Sequence, residues 1–258
     1  MQSSTDITVG GYLASRLVAA GCNTFFTVPG DFTLSLLDEL LRNPSLTMIG
    51  TCNELNAGYA ADGYARSTGA LGAVVVTYMV GGLSLLNAAA GAMAENIPLL
   101  IVSGGPNSND YEAHHLLHHT IGETDFYQSS KCFEPVVAGC FVIKHINQAA
   151  KLIDEAFTIC LSSRKPVYLE IACNLATCLV VSPSPISFTF DAVSDPLSLQ
   201  ASVEHAAQCL QGSNKPVLIA GSQLHVTSNA INRFRRLAAT IGCAVGTIRL
   251  RWLMLINS

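Results

Sequence analysis

The sequence has 258 residues, of which 50% are hydrophobic and only 12% are charged, and its formal net charge is −4. This composition excludes a disordered chain, a coiled coil and a polyelectrolyte. Because no basic surface is available for a phosphate backbone, we also predict no nucleic-acid partner.

Residues 1–182 alternate between helix and strand patterns. The predicted helices cover residues 8–20, 33–42, 54–67, 83–95, 111–120 and 146–162. The predicted strands cover residues 24–28, 48–52, 73–78, 98–104 and 165–172. Short apolar strands that alternate with helices of this kind indicate βαβ units. We therefore predict an α/β domain, with a parallel sheet and helices on both faces, over residues 1–182.

A serine- and proline-rich stretch without helical periodicity predicts a linker at residues 183–196. The alternation then resumes, with helices at 197–210 and 227–240 and strands at 215–221 and 243–247. We predict that residues 197–247 form a truncated Rossmann-like domain, because two or three strands are too few for a doubly wound sheet. Residues 248–258 hold the only tryptophan and carry no cap or turn signal, which predicts a tail of a different character.

The stretch between Arg66 and Glu95 has no charged residue and is long enough to span a bilayer. It nevertheless divides into a β-branched run, a Gly-Gly break and an alanine-rich run, which favours a strand, a turn and a buried helix. We therefore expect no association with a membrane.

The nine cysteines are odd in number and form no CxxC pair, so neither a disulfide framework nor a zinc-finger spacing is present. We predict buried free thiols in a reducing compartment and hence a cytoplasmic protein. The first twenty residues also lack the basic and apolar regions of a signal peptide.

Polar residues follow the predicted strands at the edge where parallel sheets bind ligands. Glu54 has two interpretations: a first-turn carboxylate that the helix dipole favours, or a carboxylate in an apolar pocket that trades a proton with a heterocycle. Asp31 is similarly either an N-cap or a functional acid. Glycine turns also follow two of these predicted strands, at Gly30 and at Gly81-Gly82.

Four of the seven histidines lie within residues 114–119. On a helix, His114 with His118 and His115 with His119 would be i,i+4 pairs, which is a metal-ligand spacing. No HExxH motif is formed, however, and two alternatives remain: a solvated histidine-rich loop, or catalytic histidines that exchange protons near neutral pH.

Several segments, in this order, closely resemble the pyruvate decarboxylase family, the thiamine-diphosphate-dependent 2-keto-acid decarboxylases. The similarity covers residues 7–247, and the segments are TVGGYLASRLVAAG, TVPGDFTLSLLDELL, CNELNAGYAADGYAR, VVTYMVGGLSLLNAAAGAMAENIPLLIVSGGPNSND, LLHHTIG and KPVYLEIACN. The resemblance implies that residues 1–182 are a pyrimidine-binding domain and that residues 197–247 begin a middle domain. The implied activity is the nonoxidative decarboxylation of pyruvate to acetaldehyde and CO2, with thiamine diphosphate and Mg²⁺.

The resemblance also implies roles for particular residues. Glu54 matches the glutamate that hydrogen-bonds the aminopyrimidine ring, while Asp31, His118 and His119 match the groups that manage substrate protonation and product release. The cofactor-binding positions it implies are Glu54, Pro29, Gly30, Val80, Gly81 and Gly82. His114 and His115 lie outside the matching LHHT motif, so the resemblance gives them no role.

The family binds Mg²⁺ and diphosphate through a GDG motif, which this sequence lacks. The family's site lies between subunits of a homodimer or tetramer, so we predict that this chain is inactive alone. Two alternatives stay open: a non-catalytic partner or regulator of a full-length decarboxylase subunit, and a truncated gene whose last residues come from another frame.

Overall fold

A computed structural model of the protein describes residues 6–113, 115–184, 188, 194–221, 224 and 229–247. The chain divides into two compact units, Met1–Phe188 and Thr189–Ser258. Most of the predicted linker, the whole predicted tail at 248–258 and His114 lie outside the described residues.

The first unit contains eight described strands. They are β1 (Asp6–Thr8), β2 (Thr24–Val28), β3 (Thr47–Gly50), β4 (Gly72–Val76), β5 (Leu99–Gly105), β6 (Cys140–Ile143), β7 (Val167–Ala172) and β8 (Leu179–Val181). Six of them form a parallel sheet in the order β3-β2-β4-β5-β7-β6. Every residue of β4, β5 and β7 is buried, as expected for a parallel sheet that is covered on both faces.

Helices cover the sheet. They are α1 (Val9–Ala19), α2 (Leu34–Leu41), α3 (Glu54–Thr68), α4 (Val80–Ser84), α5 (Leu86–Glu95), α6 (Asp110–Ala113), α7 (Gln128–Phe133) and α8 (Ile146–Ser163). Side chains alternate between the two faces of each strand. On β4, Ala73 and Val75 enter one apolar core with residues of α1, α2 and α8, whereas Val74 and Val76 enter a second core with α3 and α5. The predicted α/β class, with helices on both faces of a parallel sheet, is confirmed.

Local side-chain chemistry explains where two of these helices begin. Thr8 caps α1 by accepting a hydrogen bond from the Gly11 N–H at 3.0 Å, and Asn53 caps α3 by accepting from the Leu55 N–H at 2.8 Å. The helix α3 ends at Gly69, whose φ of +74° suits a residue without a side chain. Glu54 is therefore held at the first position of α3.

Two helix predictions need correction. The helix predicted at 83–95 starts earlier and is divided at Leu85 into α4 and α5. The helix predicted at 111–120 is wrong, because α6 ends at Ala113 and residues 115–120 are not helical. Residues 110–113 include no buried side chain, so this segment has no apolar stripe to bury against the sheet and support a longer helix.

The sequence patterns missed four short elements of the first unit. The strands β1 and β8 pair antiparallel, with Asp6 opposite Val181, and α7 and β6 lie between α6 and α8. Strands of three or four residues are too short for hydrophobic alternation to reveal them.

The second unit contains α9 (Pro196–Gln211), β9 (Val217–Ala220), α10 (Asn229–Ile241) and β10 (Ala244–Thr247). The two strands are parallel, with Val217 opposite Ala244, so the resumed alternation of helix and strand is confirmed. Asp195 caps α9 by accepting from the Ser198 N–H at 2.8 Å. Among the residues described in the two units, no helix is both long enough and apolar enough to cross a membrane.

All nine cysteines are free thiols, but the prediction that they are buried holds for only two of them. Cys22 and Cys160 are buried, and burial raises the pKa of the Cys22 thiol to about 12. Cys52, Cys132 and Cys209 are exposed.

Candidate active site

The strand order brings the predicted site residues to one edge of the sheet. Because β3, β2, β4 and β5 are parallel neighbours, their carboxyl ends share that edge. Asp31 follows β2, Glu54 follows β3 and Gly81 follows β4, while the segment with His118 and His119 follows β5.

Asp31 forms a cluster with both histidines of the doublet. His118 Nε2 is hydrogen-bonded to Asp31 Oδ2, and His119 Nδ1 lies 3.9 Å from Asp31 Oδ1. The side chains are 51%, 58% and 30% exposed for Asp31, His118 and His119, so solvent reaches all three. Partial burial opposes ionisation of Asp31, but the hydrogen bond and the charges of the two histidines together lower the pKa of its carboxyl.

The ring of Phe32 packs against both histidines, His118 and His119. Its ring stacks on His118 with centroids 5.1 Å apart, and it lies 5.9 Å from the ring of His119. Phe32 belongs to a small buried cluster with Tyr78 and Met79. The doublet is thus supported by an apolar surface from beneath, although its own residues are partly exposed.

The backbone of His119 is also unusual. Its φ of +62° lies in the left-handed region, which residues other than glycine rarely adopt. Its Nδ1 is buried without a hydrogen-bond partner. Such a conformation turns two neighbouring side chains toward one place, which adjacent residues of a regular helix cannot do.

Glu54 lies half-buried at the start of α3, which follows β3 at the same edge of the sheet. A methyl group added at Gly81 would lie 3.5 Å from Glu54 Oε1, so the glycine leaves the space beside this carboxylate open. The helix dipole of α3 favours the ionised carboxylate at this position.

Thr77 lies between two of the predicted glycines, and the sequence patterns did not single it out. A methyl group at Gly30 would lie 2.4 Å from Thr77 Cβ, and one at Gly81 would lie 3.1 Å from Thr77 Cγ2. Thr77 is 6% exposed, and its Oγ1 has no hydrogen-bond partner. Its position directly after β4, at the ligand-binding edge, is a signal that could have identified it.

The remaining predicted positions have different surroundings. Val80 is exposed, whereas Gly82 faces the protein interior, where an added methyl group would lie 3.2 Å from the Phe133 ring. Packing alone therefore explains the glycine at 82. Pro29 lies between β2 and Gly30, at the same edge.

The structure changes the metal hypothesis. His115 and His119 are not on a helix, and His115 instead contacts Asp110 at 3.3 Å. Within the described part of the chain, the group that could hold a metal ion is Asp31, His118 and His119, whose ligand atoms all lie within 4.8 Å of one another. Adjacent histidines, not i,i+4 pairs, provide this geometry.

Comparisons with known proteins agree with the resemblance. Residues 7–129 match the family described as thiamine pyrophosphate enzyme, N-terminal TPP binding domain. The chain is 50% identical to pyruvate decarboxylase 2 of Arabidopsis thaliana over 243 residues, which are 93% of this chain and 40% of the relative. It is 46% identical to pyruvate decarboxylase 1 of Pisum sativum over 250 residues, which are 95% of this chain and 42% of that relative.

The chain thus spans only about two fifths of the length of these relatives. Residues 7–129 are similar to the N-terminal TPP binding domains of thiamine pyrophosphate enzymes, and the chain as a whole is similar to part of the pyruvate decarboxylases.

Proposed function

We propose that this chain supplies the pyrimidine-binding side of a thiamine diphosphate site and serves in the nonoxidative decarboxylation of a 2-keto acid. Overall similarity favours pyruvate, with acetaldehyde and CO2 as products. The observation that carries the proposal is the cluster of Asp31, His118 and His119 at the same sheet edge as Glu54. In this proposal residues 1–182 are the pyrimidine-binding domain, and residues 197–247 are the first part of a middle domain.

The residues present suit a flat heterocycle. Gly30 and Gly81 bring the backbone close to Thr77, because a methyl group on Gly30 would lie 2.4 Å from Thr77 Cβ and one on Gly81 would lie 3.1 Å from Thr77 Cγ2. The Oγ1 atom of Thr77, which has no hydrogen-bond partner, provides a polar group at this edge. When bound, thiamine diphosphate supplies the electron sink for release of CO2.

The carboxylate of Glu54 suits the aminopyrimidine ring of the cofactor. Its half-buried carboxylate would hydrogen-bond the aminopyrimidine and hold a proton at a ring nitrogen. Because Gly81 has no side chain, no Cβ lies against Glu54 Oε1, where a methyl group would be 3.5 Å away.

Asp31, His118 and His119 would serve the substrate side. Histidine exchanges protons near neutral pH, and the hydrogen bond to Asp31 orients the ring of His118. The three side chains would hold protons and deliver them to the reacting carbon and the leaving product. We assign the cluster to proton transfer and not to a metal, because Phe32 supports a close pair of rings beside one carboxylate.

The sequence contains no GDG motif, so the proposal places the ligands of Mg²⁺ and of the diphosphate outside these 258 residues. A complete site then needs a second polypeptide region, as in a homodimer or tetramer. A cytoplasmic location is proposed with this function, in keeping with nine free thiols.

A chimera tests the proposal. Residues 7–247 replace the matching region of Arabidopsis thaliana pyruvate decarboxylase 2, and acetaldehyde formation from pyruvate is measured. We expect an active chimera in which Glu54→Gln or His118→Gln lowers kcat by roughly 100-fold or more, the range of general acid–base catalysis. Glu112→Gln, which changes an exposed carboxylate of α6, is the matched control.

An active chimera that tolerates Glu54→Gln would refute the assignment of Glu54. For the chain by itself, we expect no acetaldehyde from pyruvate, thiamine diphosphate and Mg²⁺. Acetaldehyde formation by the purified chain that Glu54→Gln abolishes would contradict that expectation.

A second candidate function is a non-catalytic partner of a full-length subunit. The exposed apolar side chains of α9 favour it, because Leu197 is 79% exposed and Val203 is 59% exposed. Coexpression with the full-length relative distinguishes the two candidates. A partner co-purifies with the enzyme and changes its activity even when the chain carries Glu54→Gln.

A further inference from the structure

A carboxylate outside the proposed catalytic set is completely buried in the first unit. Glu170 on β7 is 0% exposed, and β7 is buried along its whole length. Its Oε1 accepts a hydrogen bond from the Tyr111 hydroxyl at 2.7 Å, and its Oε2 accepts one from the Tyr168 hydroxyl at 2.6 Å. The Tyr168 hydroxyl also lies 2.8 Å from Ser129 Oγ. A charge at this depth is tolerated because hydroxyl groups meet both oxygens.

Tyr111 connects this buried group to the segment that carries the histidine doublet. It lies on the four-residue helix α6, seven positions before His118. The described residues from 112 to 125 include no buried side chain, so packing contributes little to holding this stretch. The Tyr111 ring packs edge-on against Phe126, with centroids 5.6 Å apart, at the far end of the same stretch.

Other contacts reach the segment mainly at its two ends, where the Tyr111 ring lies 5.9 Å from that of Tyr127 and the Ile121 N–H donates to Gln128 Oε1 at 3.3 Å. At its start, the Ser108 N–H donates to Asn174 Oδ1 and Asn174 Nδ2 donates to Ser108 Oγ, both at 2.9 Å. Between that pair and the bond from His118 to Asp31, the hydroxyl of Tyr111 reaches from α6 into the protein interior. Its 2.7 Å bond to a carboxylate is of the strong, charge-assisted kind when Glu170 is ionised.

We propose that Glu170, through Tyr111, holds the segment carrying His118 and His119 against Asp31, and that it is a positioning residue for this site. The catalytic meaning of the contact rests on the proposed function, whereas the contact itself is a property of the fold. Glu170 touches neither histidine, so it acts only through Tyr111.

The groups around Glu170 determine how this contact responds to pH. The titratable groups that face it are Tyr111 on α6, Tyr168 on β7, Tyr78 after β4 and Cys140 on β6. Burial raises the pKa of each of these four groups, so all four are neutral near pH 7. Burial also raises the pKa of Glu170 to about 7, against the opposing effect of the two tyrosine hydrogen bonds. The contact with Tyr111 is therefore strongest above pH 7, where Glu170 is ionised.

Hydrogen exchange of the full chain tests the proposal without cofactor or substrate. Tyr111→Phe removes the hydroxyl but keeps the ring that packs on Phe126. At pH 8 we expect the amides of Ala113, Ile121 and Gly122, which donate hydrogen bonds in this stretch, to exchange roughly tenfold faster, as for the loss of a hydrogen bond to a charged group. The matched control is Tyr64→Phe on α3, which removes a hydroxyl that accepts from the Asn23 N–H at 3.3 Å and keeps the ring that packs on Phe26. This control should leave the exchange of the segment unchanged.

Glu170→Gln gives an independent test, because glutamine keeps the shape and one acceptor but has no charge. It should accelerate exchange of the segment at pH 8 and match the original chain at pH 5.5, where Glu170 is protonated. Unchanged exchange in Tyr111→Phe, or an effect of Glu170→Gln that is the same at both pH values, overturns the proposal. The proposed decarboxylation is tested separately, in the chimera. A failure of the proposed function can therefore be distinguished from a failure of the proposed role of Glu170.

Discussion

The buried carboxylate of Glu170 makes the stability of the first unit depend on pH in a direction that can be worked out. In the unfolded chain a glutamate has the ordinary pKa of 4.5, whereas burial raises the pKa of Glu170 in the folded chain to about 7. Between these two values the folded state binds a proton that the unfolded state has lost. The contribution of Glu170 to stability therefore falls as pH rises from about 4.5 to about 7, and it stays low above that range.

The magnitude follows from the same two values. A difference of one in pKa corresponds to about 1.4 kcal/mol, so ionising Glu170 in the folded state costs about 3 kcal/mol. No allowance for solvent screening is needed, because the side chain is 0% exposed. The two tyrosine hydroxyls reduce this cost but do not remove it, since desolvation is the largest effect on the pKa of Glu170.

The assay compares the original chain with Glu170→Gln by urea unfolding, followed by circular dichroism, at several pH values between 5 and 8. The glutamine is neutral throughout, and both chains share every other titrating group. The free energy of unfolding of the original chain, minus that of the variant, should fall by about 3 kcal/mol from pH 5 to pH 8. A difference that does not change with pH would refute the explanation by burial, as would one that rises.

Two further predictions concern close packing and thiol exposure. Gly104→Ala should lower the free energy of unfolding by about 3 kcal/mol, because the added methyl group would lie 2.1 Å from a backbone carbonyl oxygen. Gly50→Ala, with nothing within 4 Å, should change it little, and equal effects of the two substitutions in urea unfolding would contradict the steric explanation. With a thiol reagent in native buffer, exposed Cys52 should react at once, whereas Cys22 and Cys160 should react only after unfolding. Rapid labelling of either buried thiol, mapped by mass spectrometry, would show that this core opens readily.

Much of the framework around the site followed from local patterns. The helix predicted at 8–20 is observed as α1, and its cap is also local, because the Thr8 hydroxyl accepts from an N–H three residues ahead, within one turn. The strands β2, β4, β5 and β7 were predicted because their apolar runs are long enough to stand out from the neighbouring sequence. Glu54 and Asp31 were expected at the sheet edge because each directly follows a predicted strand.

The doublet shows where local patterns failed. A helix was predicted at 111–120, on which four histidines would form i,i+4 pairs, but the helix ends at Ala113 and has no buried side chain. The long-range bonds of this region are those of Tyr111 to Glu170 and of His118 to Asp31. The interest of Thr77 and of Tyr111 was missed for a related reason. Each of them packs against or bonds to a residue that lies far away in the sequence. A glutamate within the buried strand VYLEIA was a visible signal that a polar partner must exist, although it did not say which residue that partner is.

By itself, the sequence determined most of the longer helices and five of the six strands of the parallel sheet, because these depend on interactions among residues a few positions apart. Only the tertiary structure decided that Asp31 meets His118, 87 positions away, and that Glu170 meets Tyr111, 59 positions away. Such contacts depend on the strand order β3-β2-β4-β5-β7-β6 and on the path of the chain between strands. Burial then gave Glu170 its raised pKa, since the cost of a charge depends on the solvent that the folded chain removes.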